Sequence, residues 1–216
     1  MSGSLRQRTG YPRLILTRAR LGELPRHHAL LALAWAGREI TPMVPDLETD
    51  RLILTRRTEA DLEACVAMDS DLEVRRYITP QFRDHFEPNE YRAKLRERIS
   101  IDAGPGLGWW IIRERGDPRS FHGMVLLIPI ALEGPEIEIG WRLPRASWRK
   151  GFATEAAMRV VRYAFHDLAL SEIIACINPE NVRSISIATL LGFRRAGRKR
   201  AYGSEFDLYC LRLGKV

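Results

Sequence analysis

The chain has 216 residues, of which 45% are hydrophobic and 28% are charged, and it carries a net charge of +7. This composition is typical of one globular domain with an extension, and no apolar run is long enough to span a bilayer, so we expect no membrane contact. The three cysteines, Cys65, Cys176 and Cys210, match neither a disulfide framework nor the spacing of a metal site. We therefore expect a metal-free protein of the reducing cytoplasm.

The N-terminal residues carry most of the positive charge. Residues 1–42 contain seven arginines against two glutamates, and the segment Thr41–Asp46, which contains two prolines, begins where they end. Because prolines resist regular structure, this segment is predicted to be a linker. We expect a poorly ordered basic extension over residues 1–42 and a folded domain over residues 43–216. The extension is either simply solvated or contacts RNA or the ribosome.

The first half of the folded domain is predicted to contain one strand and two helices. The strand covers residues 51–55. Thr58, an N-cap residue type with an acid three positions later, begins a helix that runs to about residue 69. The second helix runs from about residue 88 to 101, with three apolar residues on one face, Tyr91, Leu95 and Ile99.

The second half alternates strands and helices. Strands are predicted at residues 109–113, 121–130, 136–143, 171–177 and 205–213. A long helix over 152–168 and a shorter one over 181–191, which Gly192 ends, are predicted between them. The inward residues of the long helix should be Ala156, Val160, Ala164 and Phe165. This order predicts an α/β (mixed α+β) fold with a mixed, mostly antiparallel twisted sheet and helices on both faces.

One segment has the features of an anion site. Trp148-Arg-Lys-Gly-Phe-Ala-Thr-Glu-Ala156 lies between a predicted strand and the long helix. A helix N-terminus presents unsatisfied N–H groups, Gly151 has no Cβ to obstruct a ligand, and Arg149 and Lys150 add positive charge. An ordinary helix with a glycine before its first turn is the alternative.

Four segments in the same order resemble a known family. The Trp148–Ala153 segment resembles the acyl-CoA pyrophosphate loop of the GCN5-related N-acetyltransferase (GNAT) family, in the form found in its ribosomal-protein (RimJ/RimL-type) branch. Thr49–Thr55 resembles the opening strand of that family, and Glu138–Trp141 resembles the strand before the loop. Asn181–Ser184, followed by Leu190-Leu-Gly-Phe193, resembles the helix beside the pantetheine arm. The resemblance covers about residues 47–213 and implies the GNAT fold.

The resemblance also implies which residues bind the coenzyme. Backbone amides of the loop would hold the pyrophosphate, from Gly151, Phe152, Ala153 and Thr154, with Arg149 and Lys150 beside them. The strand edge at Trp141–Leu143 would pair with the pantetheine amides, because edge N–H and C=O groups are free to do so. Asn178, Asn181 and Ser184 would contact the pantetheine arm. Equally, Asn178 could serve only a turn and Asn181 only a helix N-cap.

The expected chemistry needs a group that takes a proton from the attacking amine. Glu138 is the candidate base because alternation puts it, with Glu136 in reserve, on one face of the strand that leads to the site. A solvated strand carboxylate is the alternative for Glu138. His122 could also accept a proton, but a packed or surface histidine is its favoured interpretation. Many relatives have a tyrosine that protonates the departing thiolate where this chain has Ala188, so Tyr202, Ser184 or water would have to replace it.

The sequence thus predicts an N-acetyltransferase that moves an acetyl group from acetyl-CoA to a primary amine by direct attack in a ternary complex, without a metal. The acceptor is either a protein N-terminus or a small molecule, and an acidic acceptor pocket would favour a cationic small molecule. A non-catalytic acyl-CoA-binding module, an RNA-binding protein and an oligomer remain open. The basic run Arg194–Arg200 is expected to be a solvated surface, although it could reach the 3′-phosphate of the coenzyme or an acidic partner.

Overall fold

The computed structural model describes residues 44–213. The predicted basic extension, residues 1–42, therefore lies outside the described residues. Within residues 44–213, none of the helices is both long and apolar enough to cross a membrane.

One sheet of eight strands organises the domain, in the order β1-β2-β3-β4-β5-β6-β8-β7. All neighbouring strands are antiparallel except β5 and β6, which are parallel. The strands are β1 Leu47–Glu48, β2 Leu52–Arg56, β3 Gly108–Glu114, β4 Met124–Pro129, β5 Ile137–Arg142, β6 Glu172–Ile177, β7 Arg194–Ala201 and β8 Ser204–Arg212. The helices are α1 Leu62–Ser70, α2 Leu72–Arg75, α3 Pro80–Asp84, α4 Pro88–Ile99, α5 Phe152–His166 and α6 Val182–Leu190.

One face of the sheet is covered by α5. Its apolar residues recur at helical spacing, and Ala156, Val160 and Ala164 are completely buried, as the sequence predicts. Trp110 of β3 faces this helix, and its ring meets that of Tyr163 edge-on, with the ring centroids 5.9 Å apart. This face contains most of the large, fully buried side chains of the central strands.

The opposite face is covered by α1 and α4. Leu62, Val66 and Leu95 of these helices pack against Ile111 of β3 and Met124 of β4 in one buried cluster. Because successive strand residues alternate between faces, Ile111 lies on the side of the sheet opposite to Trp110. Helices therefore cover both faces of a mixed, mostly antiparallel sheet, and the predicted fold class is confirmed.

The predicted helices and strands are present, but two predictions about their extent are wrong. The strand predicted from residue 121 begins at Met124, since Gly123 before it has a φ of +114° and interrupts the regular strand. A Cβ at Gly123 would lie 2.3 Å from the carbonyl oxygen of Arg142, so the glycine also permits a close approach to the end of β5. The first α-helix begins at Leu62 instead of directly after Thr58, because a short 3₁₀ turn over Glu59–Asp61 precedes it. The predicted N-cap at Thr58 is confirmed, since the Thr58 amide donates to the Asp61 carboxylate over 2.9 Å in a capping box.

The basic run after α6 is a strand, β7, whose side chains are mostly exposed, as expected of a solvated surface. It forms the edge of the sheet and pairs with β8, with a shift of register between Arg195 and Gly197. Three ion pairs join its basic side chains to acidic residues of β8: Arg195 pairs with Asp207, and Arg198 pairs with Glu205 and, more distantly, with Asp207. Cross-strand charge pairs stabilise the hairpin, and the exposed positive charges discourage another strand from adding to the edge.

The central strand β4 provides a test of the packing around α5. Leu127 is completely buried, so Leu127→Ala should lower the free energy of unfolding by about 2–5 kcal/mol through lost burial and a residual cavity. Met158 lies on the outer side of α5 and is 45% exposed, and Met158→Ala should change the free energy by about 0.5 kcal/mol or less. Urea unfolding of the two variants measures the difference. Equal effects would contradict the packing of α5 on this face.

Candidate active site

The site is built around the point where two central strands stop pairing. β5 and β6 share one register pair, Glu138 with Ile174, and the residues nearer their carboxyl ends have no pairing with each other. β5 continues to pair with β4 as far as Arg142. Backbone groups on the β6 side of β5 are therefore left outside the ladder, which is the position where an extended ligand can add to a strand.

A strained loop connects the end of β5 to α5. Arg149 and Gly151 both have left-handed backbone conformations, with φ of 61° and 80°. Glycine adopts this conformation freely, but for Arg149 it costs of the order of 1 kcal/mol. Alternation of left- and right-handed residues turns successive N–H groups to one side and forms a concavity that suits anions.

The first turn of α5 begins at this loop. Gly151 is its N-cap, and no described side chain caps the helix. Its amides at Phe152, Ala153 and Thr154 precede the first intrahelical bond, in which Glu155 N–H donates to the Gly151 carbonyl over 3.0 Å. The predicted anion site is therefore a helix N-terminus with free donors and a favourable dipole.

An open cavity of about 600 Å³ lies beside the loop. Trp148 links the two walls of this cavity. Its indole N–H donates to the Leu143 carbonyl over 2.8 Å, and its ring lies 4.5 Å from the guanidinium carbon of Arg183. Three guanidinium groups of the loop and α6 line the cavity, from Arg145, Arg149 and Arg183. The exposed Lys150 lies on the other side of the loop, with its ammonium 6.0 Å from the centre of the Phe152 ring.

Residues far away in sequence hold the loop in place. Glu155, in the first turn of α5, accepts hydrogen bonds from the Thr49 hydroxyl over 2.6 Å and from the Arg51 backbone and side chain. Arg51 also donates to the Lys150 carbonyl over 3.1 Å. Burial alone would raise the pKa of Glu155, but these hydrogen bonds outweigh it and lower the pKa. We call these contacts of Thr49, Arg51 and Glu155 the clamp.

His122 packs against the loop and the first turn of α5, and it does not line the cavity. Its Nδ1 lies 2.9 Å from the Ser147 hydroxyl, and its ring packs against that of Phe152 with the centroids 4.6 Å apart. The favoured interpretation of His122 as a packed histidine is therefore confirmed.

Glu138 is buried on the face of the sheet opposite to α5. The Tyr202 hydroxyl donates a hydrogen bond to its carboxylate, and the Ala131 amide donates to the Tyr202 oxygen over 3.1 Å. Burial raises the pKa of Glu138, although the hydrogen bonds from Tyr202 and from the Cys176 backbone act in the opposite direction. Glu138 is only 7% exposed, so the alternative of a solvated carboxylate is wrong.

The sequence indicates Tyr202 only as a possible acid for the departing thiolate, and it does not indicate the contact with Glu138. This tyrosine is the first of two residues that connect β7 and β8, and both Tyr202 and Gly203 have positive φ. Two positive φ values in a two-residue hairpin define a type I′ turn, in which the second residue here, glycine, is expected. A turn signal in the sequence could have indicated the hairpin, but not that its tip lies over Glu138.

Two other ionisable groups near Glu138, those of Glu136 and Cys176, are an ion-paired carboxylate and a neutral thiol. Glu136, the reserve base, forms an ion pair with Lys199 of β7 over 2.5 Å. Burial, and then the nearby Glu138, raise the pKa of the Cys176 thiol to about 12. A thiol with such a pKa is protonated at neutral pH, so Cys176 does not compete as a nucleophile.

The three polar residues predicted to contact the coenzyme lie where β6 leads into α6. The Asn178 side chain accepts from the Glu180 amide over 2.9 Å, which forms a turn, and the Asn181 side chain caps α6 by accepting from the Ser184 amide over 3.2 Å. Both asparagine oxygens are thus used by the backbone, while their NH₂ groups remain available as donors. Ala188 is completely buried, so no side chain from that position reaches the open site.

Comparison with known proteins gives the class. A model of the acetyltransferase (GNAT) domain matches residues 51–194. The uncharacterized N-acetyltransferase YoaA of Bacillus subtilis (strain 168) is 34% identical over 174 residues, which cover 76% of this chain and 94% of that protein. The uncharacterized N-acetyltransferase p20 of Bacillus licheniformis is 31% identical over 175 residues, which cover 78% of this chain and 96% of that protein.

Solved structures share the fold. An acetyltransferase (GNAT family) from Bacillus anthracis matches with a TM-score of 0.60 and 24% identity, over 77% of this chain and 96% of that one. RimL, described as a ribosomal L7/L12 alpha-N-protein acetyltransferase in complex with coenzyme A, matches with a TM-score of 0.63 and 13% identity, over 78% and 98%. The fold and the relatives define an acyl-CoA-dependent acetyltransferase. The chain belongs to the GNAT acetyltransferase family, and the resemblance drawn from its sequence segments is confirmed.

The clamp can be tested by its effect on stability. Glu155→Gln replaces the carboxylate that accepts hydrogen bonds from Thr49 and Arg51 with a neutral amide. It should lower the free energy of unfolding by about 1 kcal/mol, and the effect is modest because Arg51 is half exposed. A double-mutant cycle with Arg51→Met measures the coupling. Glu180→Gln, whose side chain is exposed, is the control and should have no effect. Additive effects of Glu155→Gln and Arg51→Met would contradict the clamp.

Proposed function

We propose that this protein transfers an acetyl group from acetyl-CoA to a primary amine by direct attack in a ternary complex. The observation that supports the proposal most is the loop before α5, in which Arg149 and Gly151 have left-handed backbone conformations. The free amides of the first turn of α5 follow this loop, beside the point where β5 and β6 stop pairing. A pyrophosphate and an extended amide-containing arm are the two groups that such a loop and such a strand edge accept.

In this proposal the loop binds the coenzyme pyrophosphate. Amides of Gly151, Phe152, Ala153 and Thr154 donate to its oxygens, and the side chains of Arg149 and Lys150 add positive charge. Arg183 on the cavity wall is placed to neutralise further phosphate charge, and Arg145 lies 3.9 Å from the Asp71 carboxylate, which lines the same cavity. The clamp keeps the loop in its strained conformation before the coenzyme arrives, which reduces the cost of binding.

The pantetheine arm would lie along the free side of β5. Trp141 supplies backbone groups there, whereas the Leu143 carbonyl already accepts one hydrogen bond, from the Trp148 indole. The donors that remain on Asn178, Asn181 and Ser184 face the arm from the other side. This arrangement brings the thioester to the region of Gly140 and Trp141, where a backbone N–H can stabilise the developing oxyanion.

The amine would approach β5 from the face opposite to α5, because α5 packs directly on the sheet at one face, whereas α1 and α4 on the other face pack on β3 and β4. We propose that its proton moves to the Tyr202 oxygen while the Tyr202 proton moves to the Glu138 carboxylate. The nitrogen forms a bond to the acetyl carbon and the carbon–sulfur bond breaks. The thiolate leaves without a dedicated acid at position 188, which is tolerable for a thiol of pKa about 8.5.

Ala188 also favours a second candidate function, that of a non-catalytic acyl-CoA-binding module. Such a module would bind acetyl-CoA but acetylate no amine. The buried Glu138 carboxyl and its contact with Tyr202 support the enzyme, since a carboxyl with a raised pKa that is hydrogen-bonded to a hydroxyl is suited to proton transfer. The acceptor is a protein N-terminus, as in the RimL enzyme, or a small-molecule amine.

The coenzyme site is tested by substitution at Gly151. Gly151→Glu adds bulk and negative charge beside the loop amides and should abolish acetyl-CoA binding measured by calorimetry. Gly151→Ala adds the backbone strain of a left-handed residue, about 1 kcal/mol, and a Cβ 3.1 Å from the Arg51 guanidinium, whose flexible side chain can shift slightly, so it should weaken binding far less. Gly116→Glu adds the same charge at an open position distant in sequence and should bind like the wild type. Retained binding by Gly151→Glu would exclude this loop as the pyrophosphate site.

The proton path is tested by pH profiles. Glu138 accepts a proton only as a carboxylate, and its raised pKa places the acidic limb of kcat/KM above the ordinary value of 4.5, with activity increasing as pH rises through it. Glu138→Gln should lower kcat by about a hundredfold or more and remove this limb. Tyr202→Phe should lower kcat and shift the limb to higher pH, because the lost hydrogen bond no longer lowers the Glu138 pKa.

Arg76→Lys, on the exposed surface, is the control and should leave the profile unchanged. An unaltered profile in both site variants, with acetyl-CoA still bound, would remove Glu138 and Tyr202 from the proton path.

A further inference from the structure

The open face of β5 has opposite charges at its two ends. Glu138, Gly140 and Arg142 lie on the same side of the strand because side chains alternate. Between the two charged residues, Gly140 pairs with Leu126 of β4, and both are only partly buried. The carboxyl end and the guanidinium end are about 13 Å apart along the strand, at about 3.3 Å per residue.

The guanidinium end is built from buried groups. Arg142 donates to the Asp69 carboxylate over 2.7 Å, and Tyr91 donates to the same carboxylate oxygen. Arg75 donates to the Asp69 backbone carbonyl over 2.6 Å and lies 4.2 Å from the centre of the Phe86 ring. The Arg142 side chain is 22% exposed, so part of it remains open on this face.

Positive charge exceeds negative charge in this cluster. Arg57, Arg75 and Arg142 supply three guanidinium groups, and the Asp69 carboxylate pairs with one of them, that of Arg142. Arg75 and Arg57 donate instead to backbone carbonyls, those of Asp69 and Arg98. Burial lowers the pKa of Arg57. Within residues 44–213, the Nε atoms of Arg57 and Arg75 and the Oδ1 atom of Asp69 are buried without a hydrogen-bond partner, so three guanidinium groups share a single carboxylate. Buried guanidinium groups without matching negative charge are costly, which points to an anion that binds here.

Aromatic rings form the wall next to these charges. Phe82, Phe86 and Tyr91 pack on one another with centroids 5.1–5.5 Å apart. The guanidinium carbon of Arg142 lies 5.5 Å from the centre of the Phe82 ring. Because the Phe82 ring covers one face of the Arg142 guanidinium, only the N–H groups at the edge of the guanidinium can donate to a ligand. Their planar arrangement matches the two oxygens of a carboxylate.

We propose that the acceptor carries a carboxylate close to its primary amine, and that Arg142 binds this carboxylate while the amine lies over Gly140. The inference rests on the acetyltransferase function proposed above and names the class of its acceptor. A cationic small molecule fits poorly, because the cluster at this end of the face is positive rather than acidic. The carboxylate comes either from a free amino acid or from the side chain of an acidic N-terminal residue of a peptide.

The experiment compares acceptors that differ only in this carboxylate. Phenylalanine, methionine and aspartate are each paired with the corresponding α-amide, and the peptide amide Asp-Ala-Ala is paired with Asn-Ala-Ala. Release of coenzyme A gives kcat/KM for every acceptor. Amidation lowers the amine pKa and raises the fraction of reactive neutral amine, so a preference for the free acid does not arise from amine reactivity. We expect the free acid, or the Asp peptide, to be preferred by about tenfold or more.

Two variants connect the preference to Arg142. Arg142→Lys retains a positive charge for Asp69 but loses the planar fork, and should lower the acid-to-amide ratio by about tenfold. Arg76→Lys, next to Arg75 in sequence but exposed, should leave the ratio at the wild-type value. Preference among the amino acids identifies a free amino acid as the source, and preference between the peptides identifies an acidic N-terminus.

Equal kcat/KM values within every pair would overturn the inference and leave the acetyltransferase function standing. An acid preference that Arg142→Lys does not alter would also overturn it, and this outcome does not depend on the fold of a more disruptive variant. Absence of turnover with all acceptors, by protein that binds acetyl-CoA, would overturn the proposed catalytic function and the inference with it.

Discussion

The end of hydrogen bonding between β5 and β6 is the constraint on which the rest of the site depends. Parallel strands that paired along their full length would leave no free backbone edge in the middle of a sheet. Here the ladder is reduced to one pair, and β5 continues alone with β4 on its other side. A central strand therefore acquires an edge without being at the border of the sheet, and that edge is covered on one face by α5 and remains approachable on the other.

Rigid supports around this gap hold groups that would be unfavourable elsewhere. Arg149 and Tyr202 both have left-handed backbones, one in the loop before α5 and the other at the tip of the last hairpin. The clamp fixes the first, and the pairing of β7 with β8 fixes the second. Strain of this kind persists only where the surrounding structure determines the conformation, which is why these residues lie beside well-packed helices and strands.

Charge is distributed unevenly over the open face. At one end the buried Glu138 has its pKa raised by desolvation, and at the other Asp69 keeps Arg142 protonated against the opposing effect of burial. A single strand presents both groups because residues 138 and 142 share a side. The same alternation that gives the sheet its core thus places a proton acceptor and a cationic group on the same surface.

The sequence alone determined the family, the class of fold and the loop before α5, because periodicity, turn residues and a helix N-terminus are local properties. It also indicated Glu138 by alternation and the caps at Asn181 and Gly192 by residue type. It did not reveal β7, since the charges of Arg194–Arg200 are typical of a solvent-exposed segment of any conformation. Only the pairing with β8 makes that segment a strand. The clamp, the contact of Tyr202 with Glu138 and the cluster around Arg142 were equally hidden. Each of them joins residues tens of positions apart, and such contacts exist only after the tertiary structure has brought them together.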